Sequence, residues 1–267
     1  MGKEDQARVA AYGRRLSVAR NGTMNSTITN KEMHKLSTPD FPPAAIRAIN
    51  ELKLREARLV ENTYGLLANA PVAPKVIPLY QRMDTLMSKS TATIACREHC
   101  SYCCYGPLYA TPLEVFTVAE HIAAWPPAKR DQIEQALRDY VNQVKGMDSL
   151  APMQKNIACV FLDHGRCSIY AIRPFACRQH HSVDVGICQR AFEDPTPSER
   201  GAQDPVRVVA ATAIQEVHRS YQKHVGRDAE RYEFHAALLE ALTNKASFKR
   251  WKSGKTAFPS VDEKLRS

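Results

Sequence analysis

All eight cysteines of this 267-residue chain lie between Cys96 and Cys188, and four of them, Cys96, Cys100, Cys103 and Cys104, fall within nine residues, CREHCSYCC. Thiols packed this closely in sequence are poor core filler. Thiolates are soft ligands that suit zinc and iron–sulfur centres. The other four follow as Cys159, Cys167, Cys177 and Cys188. Four and four allow two four-thiolate sites, one eight-thiol centre, or one cluster with thiols to spare. Disulfides are the competing use, but a cysteine framework of that kind belongs to short secreted chains with a leader. The stretch MGKEDQARVAAYGRRLSVARNG carries charges and no apolar h-region. No window approaches the roughly 18 uninterrupted apolar residues of a membrane span. A cytoplasmic, reducing location is therefore expected.

Around this centre the chain reads as mainly α. Residues 1–42 are polar and lack a sustained period, which predicts a mobile arm with some helix near 6–19; Met24 offers an alternative start. Residues 43–250 are expected to form a single helical domain that contains the cysteine region, 92–190. Ile46, Ile49, Leu52, Leu59 and Tyr64 recur at helical spacing through residues 44–69. Pro71 and Pro74 end that helix, and a second is expected from about Pro78 to Ser90. Thr111, Pro112 and Glu114 spell an N-cap, a proline at N1 and a carboxylate at N3, opening a helix that Pro126 and Pro127 stop. AKRDQIEQALRDYVNQVKGM predicts another. In IACVFLDHGRCSIY two short extended runs flank Asp-His-Gly-Arg, which predicts a small β-hairpin. AIRPFACRQHHSVDVGIC is expected to be irregular, and PTPSERGAQDP a loop. VRVVAATAIQEVHRSYQKHV is helical again, with one or two short helices after it. Residues 251–267 read as a flexible basic tail.

Cys103 and Cys104 would point apart in an extended segment, so at least one should meet thiols of the second block. All eight cysteines are candidate metal ligands, and metal binding would then be part of folding. Arg173 and Arg178 flank Cys177 and are candidates to contact the bound group, offsetting the charge on its sulfurs. His99, His164, His180 and His181 are alternative ligands, although a histidine in solvent is the commoner outcome, and His164 suits a turn. Tyr102, Tyr105, Tyr109 and Tyr170 read as packing, Glu114 as a cap, and His218 and His224 as surface residues.

The net charge of +9 allows an acidic protein or nucleic-acid partner, but the basic residues are dispersed among acids. The spacing Cys96-x3-Cys100-x2-Cys103 also matches that of radical S-adenosylmethionine enzymes. There, however, the motif follows the first strand of a β/α barrel, whereas here helices precede and follow it. The fourth adjacent cysteine is foreign to that pattern too.

CREHCSYCC together with the later CVFLDHGRCSIYAIRPFACR resembles the CxxxCxxCC, or YkgJ-like, cysteine-cluster family, named for zinc or iron chelation. Its later segment is matched at Cys159, Phe161, Leu162, Gly165, Cys167, Ile169, Tyr170, Arg173, Pro174, Cys177 and Arg178. The resemblance covers about residues 92–190 and leaves the helical flanks unexplained. It implies a metal-binding protein carrying zinc or iron, with a 4Fe–4S cluster as one form of the iron. Flagellin lysine N-methylases are similar in their cysteine cluster, so the alternative is a metal-dependent protein methylase or redox enzyme. No glycine-rich strand–turn–helix segment marks a separate S-adenosylmethionine domain.

Overall fold

Helical periodicity in the first described segment becomes α1 (Pro43–Tyr64) in the computed structural model, which describes residues 41–64, 71–147, 155–194 and 202–261. The arm expected over 1–42 lies outside these residues except for Phe41 and Pro42, as does most of the loop expected after Asp194. Ile49, Leu52, Ala57, Val60 and Tyr64 form the buried face of α1, while Ile46 stays exposed and Leu59 half-buried. Glu56 on the same face is buried and takes both Nε (2.7 Å) and Nη2 (2.6 Å) of Arg82. That two-pronged pair fixes α1 against the next helix.

The second helix, α2 (Ala73–Met87), begins five residues before the expected start at Pro78. Proline favours the first helical turn, and here Pro74 fills that role while Pro78 sits inside the helix. What permits the earlier start is a long-range cap. The carboxylate of Glu120 accepts from the backbone N–H groups of Val72 (2.8 Å) and Ala73 (2.9 Å).

Helix α3 (Pro112–Ala123) starts at the predicted capping box, and α4 (Pro127–Val144) follows the two prolines. After the cysteine region come α7 (Pro205–His224), α8 (Phe234–Thr243) and α9 (Ala246–Lys252). Helix α7 packs on α1 and α2, α2 on α3, and α8 on α3 and α4. Their buried apolar residues make one hydrophobic cluster that runs from Ile49 to Val261. A smaller cluster of Tyr140, Val144 and Ile157 lies beside it. Two short antiparallel pairs complete the frame. Strand β1 (Tyr109–Ala110) pairs with β4 (Tyr232–Glu233), and β2 (Leu162–Asp163) with β3 (Arg166–Cys167). The β2–β3 turn is His164-Gly165, both with positive φ (46° and 79°). This is the two-residue turn whose twist suits a hairpin.

The described part of the tail departs from expectation. Trp251, Ala257, Phe258 and Val261 are buried. Trp251 donates from Nε1 to the Asp228 carbonyl at 3.1 Å, and Phe116 meets the rings of Phe248, Trp251 and Phe258 at 5.1–5.7 Å. Gly254 has φ +74°, and a Cβ there would stand 2.5 Å from the Gly226 carbonyl oxygen. The basic composition hid this packing, because the charges alternate with the aromatic residues that bury. Among the described residues, no helix is long and apolar enough to cross a membrane.

A packed terminus makes a measurable demand. Trp251→Ala should cost about 3–5 kcal/mol in urea unfolding, the usual loss for a buried large aromatic. An unchanged midpoint would mean that this segment does not pack.

Candidate metal centre

The first cysteine block is built from turns. Cys100 N–H donates to the Arg97 carbonyl (3.0 Å), and His99 between them takes φ 66°. Tyr102–Tyr105 then form a single 3-10 turn carrying Cys103 and Cys104, with Cys104 N–H bonded to the Ser101 carbonyl at 2.8 Å. This corrects the expectation of an extended segment. Consecutive side chains in a 3-10 turn diverge by about 120° rather than 180°, and the Cys104 side chain pushes the Cys103 thiol up.

The second block is stitched directly to the first. Cys159 N–H donates to the Cys104 carbonyl (2.8 Å), and Ala95 N–H to that of Ser182 (2.8 Å). Ser182 N–H points in turn at Cys96 Sγ, 3.4 Å away. The β2–β3 hairpin delivers Cys167. The region expected to be irregular contains two short helices, α5 (Phe175–Gln179) with Cys177 and α6 (Val185–Glu193) with Cys188. Both are capped by acidic side chains, which sequence periodicity over so few residues cannot reveal. Asp184 accepts from Gly186 N–H (2.8 Å), and Glu114, far away in sequence, from Phe175 N–H (2.8 Å).

All eight cysteines are free thiols, Cys96 and Cys103 exposed and the others half-buried. Their mutual influence sorts them. Desolvation pushes the Cys96 thiol up, the Ser182 N–H opposes this, and Cys100, Cys103 and Cys188 raise it further. Desolvation likewise raises Cys177, with Cys159, Cys167 and Cys103 adding to the effect. Cys103, raised first by Cys104 and by burial, acts on thiols of both neighbourhoods, Cys96 in one and Cys167 and Cys177 in the other. Among the described residues, no three Cys, His, Asp or Glu donors close on a single point as the side chains stand.

The two arginines take different roles. Arg173 stacks on the ring of Tyr170 at 3.6 Å, and its charge favours the thiolates of Cys103, Cys167 and Cys177. Arg178 does not face the sulfurs. Its guanidinium donates to Asp84 (2.6 Å) and to the carbonyls of Arg173 and Ala171, so it braces the loop against α2. Of the histidines, His99 is committed on both nitrogens, Nδ1 to the His164 carbonyl and Nε2 to Arg166 Nε, each at 3.2 Å. His181 is buried with Nδ1 on the Gln179 carbonyl (2.7 Å) and Nε2 accepting from Asp204 N–H (2.9 Å). His164 occupies the exposed hairpin turn, and His180 is exposed. Tyr102 and Tyr105 pack on Phe192, whereas Tyr170 is largely exposed under Arg173.

His218, read as a surface residue, is buried. It stands in a chain that ends on the cap of the cysteine helix. Tyr64 O–H meets His218 Nδ1, His218 Nε2 lies 2.8 Å from Thr111 Oγ1, and Thr111 Oγ1 donates to Glu114 Oε2 at 2.8 Å. These contacts fit one tautomer, a neutral ring accepting at Nδ1 and donating at Nε2. Burial lowers its pKa to about 3, the Arg219 charge adding to this.

Two further residues had no signal in the cysteine spacing. Glu233 and His235 are both buried. His235 Nδ1 lies 2.7 Å from Glu233 Oε1, and its Nε2 lies 3.3 Å from Cys159 Sγ. Burial lowers the His235 pKa, but the charges of Glu233 and Cys159 outweigh this and raise it to about 10. Only a Glu-x-His spacing, commonplace by itself, was there to be read.

Residues 95–201 match the family model CxxCxxCC, described as "Putative zinc- or iron-chelating domain". No curated protein and no solved structure matches the chain.

The neutral His218 sets a pH dependence. An unfolded histidine titrates near about 6.5, and the folded one near about 3. Between these values the unfolded chain takes up a proton that the folded chain refuses. Stability from this group is therefore complete above about pH 6.5 and falls by up to roughly 1.4 kcal/mol per unit as the pH drops. Glu114, raised mainly by burial, opposes part of that loss. His218→Gln should flatten the dependence of the urea midpoint between pH 7 and 5, and an equally steep profile in the variant would refute the assignment.

Proposed function

With a zinc- or iron-chelating type of domain spanning residues 95–201 as the premise, we propose that the chain is a cytoplasmic metal-binding protein whose two cysteine blocks close around zinc or iron. One neighbourhood is Cys96, Cys100, Cys103 and Cys188. The other is Cys159, Cys167 and Cys177, with Cys103 acting on both and Cys104 joined to the second through its carbonyl. The observation that carries this reading is the direct stitching of the blocks, Cys159 N–H to Cys104 and Ser182 N–H to the Cys96 sulfur. Each seam places a backbone N–H of the second block on a cysteine of the first.

The donor chemistry fits the group. Raised thiols are protonated at neutral pH, and a soft cation displaces those protons and binds the thiolates in their place. Arg173 stands where its charge offsets part of the thiolate charge, which a neutral side chain would not do. Bound zinc would supply a structural cross-link, and an iron–sulfur cluster would add electron transfer.

Protein purified without oxygen should contain stoichiometric zinc or iron by elemental analysis, and its optical spectrum separates the two. Absence of both metals, with no uptake on reconstitution, would defeat the proposal. The grouping has its own test. Cys188→Ser and Cys167→Ser should each lose about half of the bound metal, and the double variant nearly all. Equal, complete loss in each single variant would point to one joint centre instead.

A further inference from the structure

The matched domain ends at residue 201, yet His235, well beyond it, reaches a cysteine sulfur. Strand β4 pairs with β1, putting Glu233 opposite Tyr109, just after the first cysteine block. Phe234 N–H donates to the Leu108 carbonyl at 2.7 Å, locking that register. The next residue, His235, is thereby carried inward, with only 1% of its surface exposed. Tyr140 covers one face of its ring at 4.1 Å. Glu233 is fixed independently, because its Oε2 also accepts from Ala236 N–H (2.8 Å) and caps α8.

We propose that His235 and Glu233 are positioning residues of the metal centre: Glu233 Oε1 holds the ring by Nδ1–H, and Nε2–H donates to the metal-bound Cys159 sulfur. This rests on Cys159 being a ligand. A metal-bound thiolate can only accept, so Nε2 must be the donor, and a carboxylate on Nδ1 is the partner that orients such a ring.

The plain alternative is a core histidine that happens to be satisfied. Against it stands the cost of burying a carboxylate beside an imidazole, which isolated packing rarely recovers. A neutral thiol is a weak acceptor and gives little in return, whereas a thiolate roughly doubles the strength of the hydrogen bond. The contact also falls on the cysteine whose backbone joins the two blocks. A donor there both orients the sulfur and withdraws charge from it.

Cobalt(II) serves as the probe, since its thiolate charge-transfer bands report on the sulfurs. His235→Phe keeps the ring stacking and removes the donor. It should bind cobalt roughly 10–100-fold more weakly in chelator competition, with the charge-transfer bands moved to lower energy. His235→Gln, which restores an N–H, should recover part of both. In a Cys159→Ser background, His235→Phe should cost little more, because the pair acts through one sulfur. If His235→Phe fails to fold, Glu233→Gln carries the same two readouts with smaller shifts. Unchanged affinity and bands in a folded variant, or an equal loss with and without Cys159, would overturn the inference while leaving metal binding intact. A wild-type chain that takes up no cobalt would instead overturn the metal-binding reading and this inference with it.

Discussion

The carboxylate of Glu114 is where the helical frame and the cysteine centre are joined. It accepts from the backbone of Thr111 (2.9 Å), from the Thr111 hydroxyl (2.8 Å) and from Phe175 N–H (2.8 Å). The first bond opens α3, and the last opens the short helix that carries Cys177. Through Thr111 and His218 the same group reaches Tyr64 at the end of α1. Each donor in this buried chain points toward the carboxylate, so no member can reverse its hydrogen bond without stranding another. Buried networks of this kind are costly when incomplete and rigid when complete.

That rigidity matters because the cysteine region has little core of its own. Phe161, Ile169, Ile172 and Phe175 are its main buried apolar contributions, and they join the cluster formed by the long helices. The remainder is held by turns, single hydrogen bonds and the hairpin. Binding residues on loops braced by a rigid scaffold are a common arrangement. Here the brace is polar as well as apolar, with Arg178 bridging to Asp84 and Glu114 bridging to α3.

Several features were legible in the sequence because a few adjacent residues encode them. Thr111-Pro-Leu-Glu specifies a capping box through local hydrogen bonds, and Asp-His-Gly-Arg specifies a turn through the two positive φ values it needs. The gathering of the thiols followed from their confinement to one region. The start of α2 was not legible, since its cap comes from Glu120 on another helix. Nor were the two short helices of residues 175–193, which lean on acidic caps rather than on periodicity. The burial of Trp251 and Phe258 was masked by the lysines and arginines around them.

By itself, the sequence determined that this is a mainly α chain with a thiol-rich centre, matching over residues 95–201 a family model described as zinc- or iron-chelating, because residue identity and short spacing carry that information. Tertiary structure alone decided which groups stand beside which sulfurs. It turned Arg178 away toward Asp84, sealed His218 in the core, and brought His235 with Glu233 to Cys159 across 76 positions of chain. The physical reason is that a hydrogen bond between distant residues depends on how whole helices and strands pack, and no local pattern records the outcome of that packing.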